Sequence, residues 1–457
     1  MKTLKIVNPA DGSSIAEVTA DDAASVAAKA ARARAAQPAW QATPLAKRAM
    51  AIARFRLAVE AEAETLARTL SQEVGKPLAQ SRNELKGFRD RIDFFLAEVE
   101  PATQDETVFA DAGIIERIAH DPLGVVANIS AWNYPYFVGG NVFVPALLTG
   151  NAVLYKPSEF ATLTGVHIDR LLHASGIPAD VFITIVGAGD VGAALLEQRV
   201  DGVFFTGSVA TGAKIAQEMG SRMVRLQLEL GGKDPTYVAD DADPKGAAES
   251  LADGAMYNTG QSCCSVERIY VHERIHDGFV RHFVAAVAAF RSGDPLADGT
   301  YIGPLTRAPQ LDVLEAQVAD AVAKGAKLAA GGKRIERAGN WFEPTVLTGV
   351  DHTMAVMRDE SFGPIIGIQK VASDDEALTL MNDTRYGLTA GMYTRDEARA
   401  AKLLARVNAG SVYWNCCDRV SPRLPWSGHG DSGVGVTLST YGIQAFTRPR
   451  AWHLRSA

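Results

Sequence analysis

Apolar positions change their spacing along this chain, and each change predicts a different kind of element. From Asp21 to about Glu100 the sequence is rich in Ala, Arg and Glu. Ala51, Ile52, Phe55, Leu57 and Val59 recur there at helical intervals, which predicts several surface helices. Beyond that point the apolar residues gather into short β-rich runs: Val125 to Ile129, Ala152 to Tyr155, Val181 to Val186 and Gly202 to Phe205. Stretches such as Thr162 to Ala174 lie between them and suit crossover helices, so the region predicts a parallel α/β sheet.

A second alternating region runs from Pro235 to about Gly433, with strands expected at Thr236 to Val238, Arg268 to Val271 and Ser411 to Tyr413. Two α/β domains in series follow from this pattern. No internal repeat, low-complexity tract or long flexible linker interrupts it.

Within the second region, HERIHDGFVRH at His272 to His282 matches the HExxH pattern of zinc proteases. Zinc chemistry needs His272 and His276 on one helix. Arg268 to Val271, however, is β-branched and aromatic and predicts a strand ending near His272. A later helical stripe of Phe279, Val280, Phe283, Val284, Val287 and Phe290 predicts a helix starting after the turn, with Asp277 near its N-terminus. His282, six residues beyond His276, would face about 240° away around such a helix. Solvated histidines at a strand-to-helix turn are expected, and no metal.

Composition narrows the class. The chain has 457 residues, 47% of them hydrophobic, enough for two or three cores, and a formal net charge of −7. With no basic field or Lys/Arg run, nucleic acid is not an expected partner. The opening MKTLKIVNPADGSS lacks the apolar core of a signal peptide, and no apolar run reaches membrane-spanning length, so a cytoplasmic, membrane-free protein is expected. Four cysteines in two adjacent pairs, Cys263-Cys264 and Cys416-Cys417, suit neither a disulfide framework nor a CxxC zinc knuckle.

Three stretches have the chemistry of a nucleotide site. Gly187-Ala188-Gly189-Asp190-Val191-Gly192 matches GxGxxG after an apolar run, but Asp201 comes too soon to be its ribose-binding acid, and a plain glycine turn is an equal reading. Phe205-Thr206-Gly207-Ser208, with Gly212 behind it, is a strand end opening a helix with small residues. Lys156 and Glu159 follow another strand end, three residues apart, where both could reach a ribose.

Seven motifs in one order then resemble the aldehyde dehydrogenase superfamily: Ser130-Ala131-Trp132-Asn133-Tyr134-Pro135, Lys156-Pro157-Ser158-Glu159, Phe205-Thr206-Gly207-Ser208, Leu228-Glu229-Leu230-Gly231-Gly232-Lys233, Gly260-Gln261-Ser262-Cys263, Glu360-Ser361-Phe362-Gly363-Pro364 and Pro425-Trp426-Ser427-Gly428. The resemblance extends from Asn8 to about Thr447. It implies a Rossmann-like cofactor domain (1–105 and 122–231), an α/β catalytic domain (232–433) and a small β oligomerisation element (106–121 and 434–457) that forms a homodimer or homotetramer.

It also implies roles. Cys263 is the expected nucleophile, Asn133 and the Cys263 backbone N–H the oxyanion donors, and Glu229 the base for thioester hydrolysis. Glu229 argues for a free-acid product. Glu360 and Phe362 are expected at the nicotinamide ribose, with Lys156, Glu159, Thr206, Gly207, Ser208 and Gly212 around the rest of the cofactor and Gly187 and Gly189 in a turn near its adenosine end. Glu159 favours NAD, with NADP as the alternative, because a carboxylate repels a 2′-phosphate.

For the aldehyde, the resemblance implies a pocket of Tyr134, Phe137, Asn141, Tyr257, Ser262, Cys264, Asp418, Val420 and Trp426, with Arg419 and Arg423 at its mouth. Cys264 is otherwise a structural thiol. Tyr134 and Trp426 match two aromatics that betaine-type members use around a quaternary ammonium, and Asn141 replaces the third. Asn141 and Tyr257 stand where succinate semialdehyde dehydrogenases typically have arginines, which disfavours a small dicarboxylic semialdehyde. Val142 replaces a lysine common in the family. A zinc peptidase and a catalytically idle relative of the dehydrogenases are the rival classes.

Overall fold

Short apolar runs closed by turns become neighbouring strands. In the computed structural model, which describes residues 2–417 and 419–456, Val125–Ile129, Ala152–Lys156, Phe182–Thr184 and Gly202–Thr206 join Arg225–Glu229 and the short Gly433–Val434 in a six-stranded sheet. The order is 433–434, 225–229, 202–206, 125–129, 152–156, 182–184, and only the first pair is antiparallel. Connections therefore wind outward in both directions from the junction of Val125–Ile129 with Gly202–Thr206. Such a reversal leaves a crevice at the carboxyl ends of the strands.

The helix Thr162–Ala174 has the predicted bounds. The run Val181 to Val186 forms only the strand Phe182–Thr184, because the chain turns at Gly187 to start the helix Gly189–Leu196.

The N-terminal helices Ala23–Ala42, Leu45–Ala61, Ala63–Val74 and Leu78–Thr103 differ from the surface helices expected. Phe55, Val59, Leu66, Leu70, Phe88, Ile92 and Phe95 are at most 1% exposed and share one apolar cluster with the helix Pro135–Leu148. At roughly 1.5–3 kcal/mol for each such side chain, this face anchors the helical layer to the sheet. Leu57 points outward and is exposed.

A second sheet has seven strands: Lys327–Ala330, Thr345–Thr348, Ile365–Val371, Val266–His272, Asp234–Val238, Thr389–Tyr393 and Ser411–Trp414, in that spatial order. All pairs are parallel except the first. Only Leu230 to Lys233 separate Arg225–Glu229 from Asp234–Val238. The carboxyl end of one parallel sheet thus leads into the amino end of the other.

A third sheet has three strands, Thr447–Arg455, Ile114–Pro122 and Glu106–Asp111, all antiparallel. The tail before it belongs elsewhere: Val434 pairs with Leu228, and Ile443 of the helix Ser439–Gln444 is buried in the helical core. Only the stretch from Thr447 onward leaves the main body.

The HERIHDGFVRH segment divides as its residue types require. The strand ends at His272 and the helix His276–Ala289 starts beyond the turn. The histidines there are not solvated as expected: His272 and His276 are 8% and 9% exposed, because the Phe279 and Phe283 face draws the start of the helix into the core. Asp277 does not cap this helix; it accepts a bond from His276 Nδ1 at 2.8 Å. Among the described residues no group of three or more His, Cys, Asp or Glu is placed to hold a metal ion, and no helix is long and apolar enough to cross a membrane.

Candidate active site

Cys263 follows a turn that L-residues rarely adopt. Asn258, Thr259 and Gly260 have φ of +54°, +58° and +70°, three left-handed residues in succession. Side chains hold the turn: Asn258 N donates to Gln80 Oε1 at 2.9 Å, and Asn258 Nδ2 to Gln261 O at 2.9 Å. Gly260 is required twice, by its φ and because a Cβ there would lie 2.2 Å from Gly363 O. That contact joins the cysteine turn to the Glu360–Pro364 segment. Cys263 emerges partly exposed; Cys264 is buried.

Glu229, the last residue of its strand, meets this turn from the other sheet. It is 4% exposed and accepts a bond from Trp426 Nε1 at 2.8 Å. Burial pushes its carboxyl up to about 7, opposed by hydrogen bonds with Trp426 and the Cys263 thiol and by the positive charge of Arg91. Asn133, also buried, directs Nδ2 to Gln261 O at 3.3 Å, two residues before Cys263. All three expected catalytic side chains therefore meet at one place.

On the cofactor side, Lys156, Thr206 and Glu229 end parallel strands of the first sheet, the first two on either side of Val125–Ile129, so they, Glu159, Gly207 and Ser208 share the carboxyl edge of that sheet. Ser208 caps the helix Val209–Met219, which carries Gly212 in its first turn. Gly187 and Gly189 open the helix Gly189–Leu196 at the far strand, and nothing lies within 4 Å of the position a Gly189 Cβ would take. The Lys156 ammonium is buried beside Glu159 and reaches Pro157 O at 3.3 Å. A buried ammonium, an adjacent carboxylate and small residues at two helix starts fit a ribose and a pyrophosphate.

Glu360 faces the same crevice. Its Oε1 accepts from Gly232 N at 3.1 Å, and burial, aided by the nearby charge of Glu267, raises its carboxyl to about 7. Phe362 packs edge-on to Trp132, ring centroids 5.6 Å apart. Glu267, which motif reasoning missed, holds this segment: it accepts from Ser361 N at 2.9 Å, Phe362 N at 3.0 Å and Lys233 Nζ at 2.6 Å.

A cavity of about 720 Å³ opens beside Cys263. Tyr134, Phe137, Asn141, Tyr257, Ser262, Cys264, Val420 and Trp426 line it with Glu229 and Thr206, and the exposed Arg419 and Arg423 also border it. Asp418 lies outside the described residues. The helix Leu78–Thr103 adds a wall the motifs did not suggest, including Glu84, Gly87 and Arg91. Glu84 is buried against Lys76 and accepts from Tyr136 N at 3.0 Å. Burial drives Glu84 up and Lys76 down toward neutrality, and their mutual attraction opposes both shifts.

The model of the aldehyde dehydrogenase family matches residues 1–452. The chain belongs to that family. Among curated aldehyde dehydrogenases, it is 35% identical to the 3,6-anhydro-alpha-L-galactose dehydrogenase of Streptomyces coelicolor, over 100% of this chain and 94% of the relative. It is 35% identical to the betaine aldehyde dehydrogenase of Mesorhizobium japonicum, over 99% of this chain and 94% of the relative. Identity to succinate-semialdehyde dehydrogenase [NADP(+)] 1 of Mycobacterium bovis is 34%, over 96% and 97% of the two chains.

Solved aldehyde dehydrogenases share the fold. An indole-3-acetaldehyde dehydrogenase in complex with NAD+ superimposes with a TM-score of 0.96 at 33% identity, over 100% of this chain and 94% of that one. A 3,6-anhydro-L-galactose dehydrogenase in complex with NADP gives 0.96 at 32% identity, over 99% and 96%. The chain thus has the aldehyde dehydrogenase fold, and oxidation of aldehydes to acids is the family's general activity.

Proposed function

We propose that the protein oxidises an aldehyde to its carboxylic acid through a thiohemiacetal and then a thioester on Cys263, with NAD as the preferred oxidant and NADP as the alternative. One observation carries this reading: the Glu229 carboxyl, raised to about 7, contacts the Cys263 thiol at the end of a cavity large enough for a small organic substrate.

Glu229, when ionised, takes the thiol proton, and the Cys263 thiolate adds to the aldehyde carbon. Asn133 Nδ2 and the Cys263 backbone N–H stabilise the oxyanion, each donor worth roughly 3–4 kcal/mol in the barrier. A bound nicotinamide would supply the acceptor for the hydride that leaves the tetrahedral centre as it becomes the thioester. After passing the thiol proton to solvent, Glu229 takes a proton from water, which attacks the thioester; the acid is freed and the Cys263 sulfur leaves as the thiolate, which is reprotonated by Glu229. Glu360 and Phe362 position the nicotinamide ribose, and Lys156 and Glu159 the adenosine ribose. Glu159 supports NAD by repelling a 2′-phosphate.

The subunit is proposed to assemble as a homodimer or homotetramer through its three-stranded sheet. Val108, Phe109, Ile115, Trp452 and Leu454 are exposed apolar residues there, and Glu106–Asp111 is an exposed edge strand.

The test is reduction of NAD or NADP by the purified protein with aliphatic, aromatic, amino and acidic aldehydes, run beside Cys263→Ala and with added chelator. Turnover that disappears in the variant and is indifferent to chelator is expected. Equal turnover by Cys263→Ala, or loss on chelation, would sink the cysteine mechanism.

A further inference from the structure

A loop near the end of the chain holds Glu229 by both its backbone and its side chain. Trp426 and Thr437 exchange backbone hydrogen bonds, Trp426 N donating to Thr437 O at 2.7 Å and Thr437 N to Trp426 O at 2.9 Å, and so close residues 427–436 into a loop. That loop reaches back to the first sheet. Gly433 pairs with Glu229 itself, Ser432 O accepts from Leu230 N at 3.0 Å, and Ser432 Oγ donates to Gly231 O at 2.7 Å. The approach is close enough that a Cβ on Gly433 would lie 2.1 Å from Leu228 O. Where the loop closes, the Trp426 indole donates its Nε1–H to Glu229 Oε1 at 2.8 Å.

Trp426 has little room to turn away. It is 6% exposed and packed in the helical core cluster. Thr437, its backbone partner, is followed by Leu438 and Ser439 at φ of +60° and +53°, left-handed conformations that residues with a Cβ seldom adopt. Burial of Leu438 in the same cluster holds that backbone in place, and strain of this kind persists only where the surroundings enforce it.

The indole differs from the other groups that face Glu229. These are the Cys263 thiol, the Arg91 guanidinium from the helix Leu78–Thr103 and, across the crevice, the Glu360 carboxyl. The thiol gives up its proton in the reaction, and a sulfur carrying an acyl group has none to donate. Arg91 favours the ionised carboxylate by its charge, and Glu360, when ionised, disfavours it. The Trp426 N–H is a donor only and is not consumed, so it favours the ionised carboxylate before and after the acyl group is attached.

We propose that Trp426 is a positioning residue for the base: its indole N–H anchors one oxygen of the Glu229 carboxyl beside Cys263 and leaves the other to carry the proton. This rests on the role of Glu229 proposed above. It goes beyond a place in the cavity wall, which another aromatic ring of similar size could fill. Without the donor, less opposes the effect of burial on the carboxyl, so its ionised form is disfavoured and base catalysis moves to higher pH.

Trp426→Phe keeps an aromatic wall and removes the donor. The experiment follows aldehyde oxidation against pH in the wild type, Trp426→Phe and Trp426→Leu, with thermal melting to check that each is folded. The acid limb of kcat should move to higher pH by about one to two units in Trp426→Phe, the worth of a hydrogen bond to a charged group. Rates below the limb should fall at least about tenfold and recover above it, while the aldehyde KM stays within about twofold. An unmoved limb, or one that moves to lower pH, overturns the proposal; a raised KM with an unmoved limb makes Trp426 part of the wall and nothing more. Trp426→Leu, which also lacks the donor, carries the comparison if Trp426→Phe is not folded.

Magnetic resonance of the wild type labelled with nitrogen-15 at its indoles needs no change at position 426 and no turnover. Among its six tryptophans, one indole N–H signal should titrate with a midpoint at about pH 7 and should hold still in Glu229→Gln. If no signal titrates, or if the titration survives in Glu229→Gln, the bond does not act as proposed. If no aldehyde is oxidised by the wild type, the cysteine mechanism fails while this titration still decides for or against Trp426 as the anchor of Glu229.

Discussion

Glu229 has to take up and release protons in each turnover, and its surroundings set the pH at which it does so. As a base it must be ionised, so the acid limb of kcat should rise through about pH 7. Arg91 lowers the pKa of Glu229, and removing that charge in Arg91→Met should move the limb to higher pH in a pH–rate profile. Glu229→Gln should slow thioester hydrolysis by about 10²- to 10⁴-fold in single-turnover measurements. The same residue weakens the fold. Its folded pKa lies above the unfolded value of 4.5, so the native state binds the extra proton between about pH 4.5 and 7 and stability falls as pH rises across that window. Glu229→Gln, which keeps an acceptor for Trp426, should therefore match the wild type below that window and exceed it at about pH 8, by a few kcal/mol on denaturant unfolding.

At the scale of elements, the buried Lys76–Glu84 pair joins the start of the helix Leu78–Thr103 to that of Pro135–Leu148, through the bond from Tyr136 N to Glu84. Lys76→Met leaves the Glu84 carboxyl buried without its cation and should cost about 3–5 kcal/mol, whereas Lys76→Met with Glu84→Met should cost less than either change alone. Denaturant titration of the three variants tests this. These elements also show where the sequence was readable. Strands at 125–129, 152–156 and 202–206 were legible because each is an apolar run closed by turn residues, and the segments around Asn133, Glu229 and Cys263 because each is a short local motif. Glu84, Arg91 and Glu267 were not, since each bonds to a residue remote in sequence: Tyr136 N is 52, Asn141 50 and Phe362 N 95 residues away. One signal was available. Glu84 and Arg91 interrupt the apolar stripe of Leu85, Phe88, Ile92 and Phe95, where a charge needs a partner. Burial of His272 and His276 was missed because their own turn looks polar, while Phe279 and Phe283 draw it inward.

For the whole molecule, the three-stranded sheet stands apart from the two larger ones, with every residue of Glu106–Asp111 exposed and Thr447–Arg455 exposed after its first residue. Ending the chain after Phe446 should lower the mass seen by sedimentation to that of a smaller assembly, with the main body still folded. Within that body, the site lies where the turn before Cys263 abuts the segment carrying Glu360, and the nearest approach is backbone to backbone, at Gly260 and the carbonyl of Gly363. Gly363 is confined in its turn by Leu314, 2.7 Å from where its Cβ would be. No side chain stands between the two glycines to absorb a change. In a saturation library, position 260 should tolerate glycine alone, and no substitution at 363 should rescue a change there, because what a Cβ at 260 meets is backbone: that side of the junction can be inherited whole or lost, with no intermediate sequence through which it could drift.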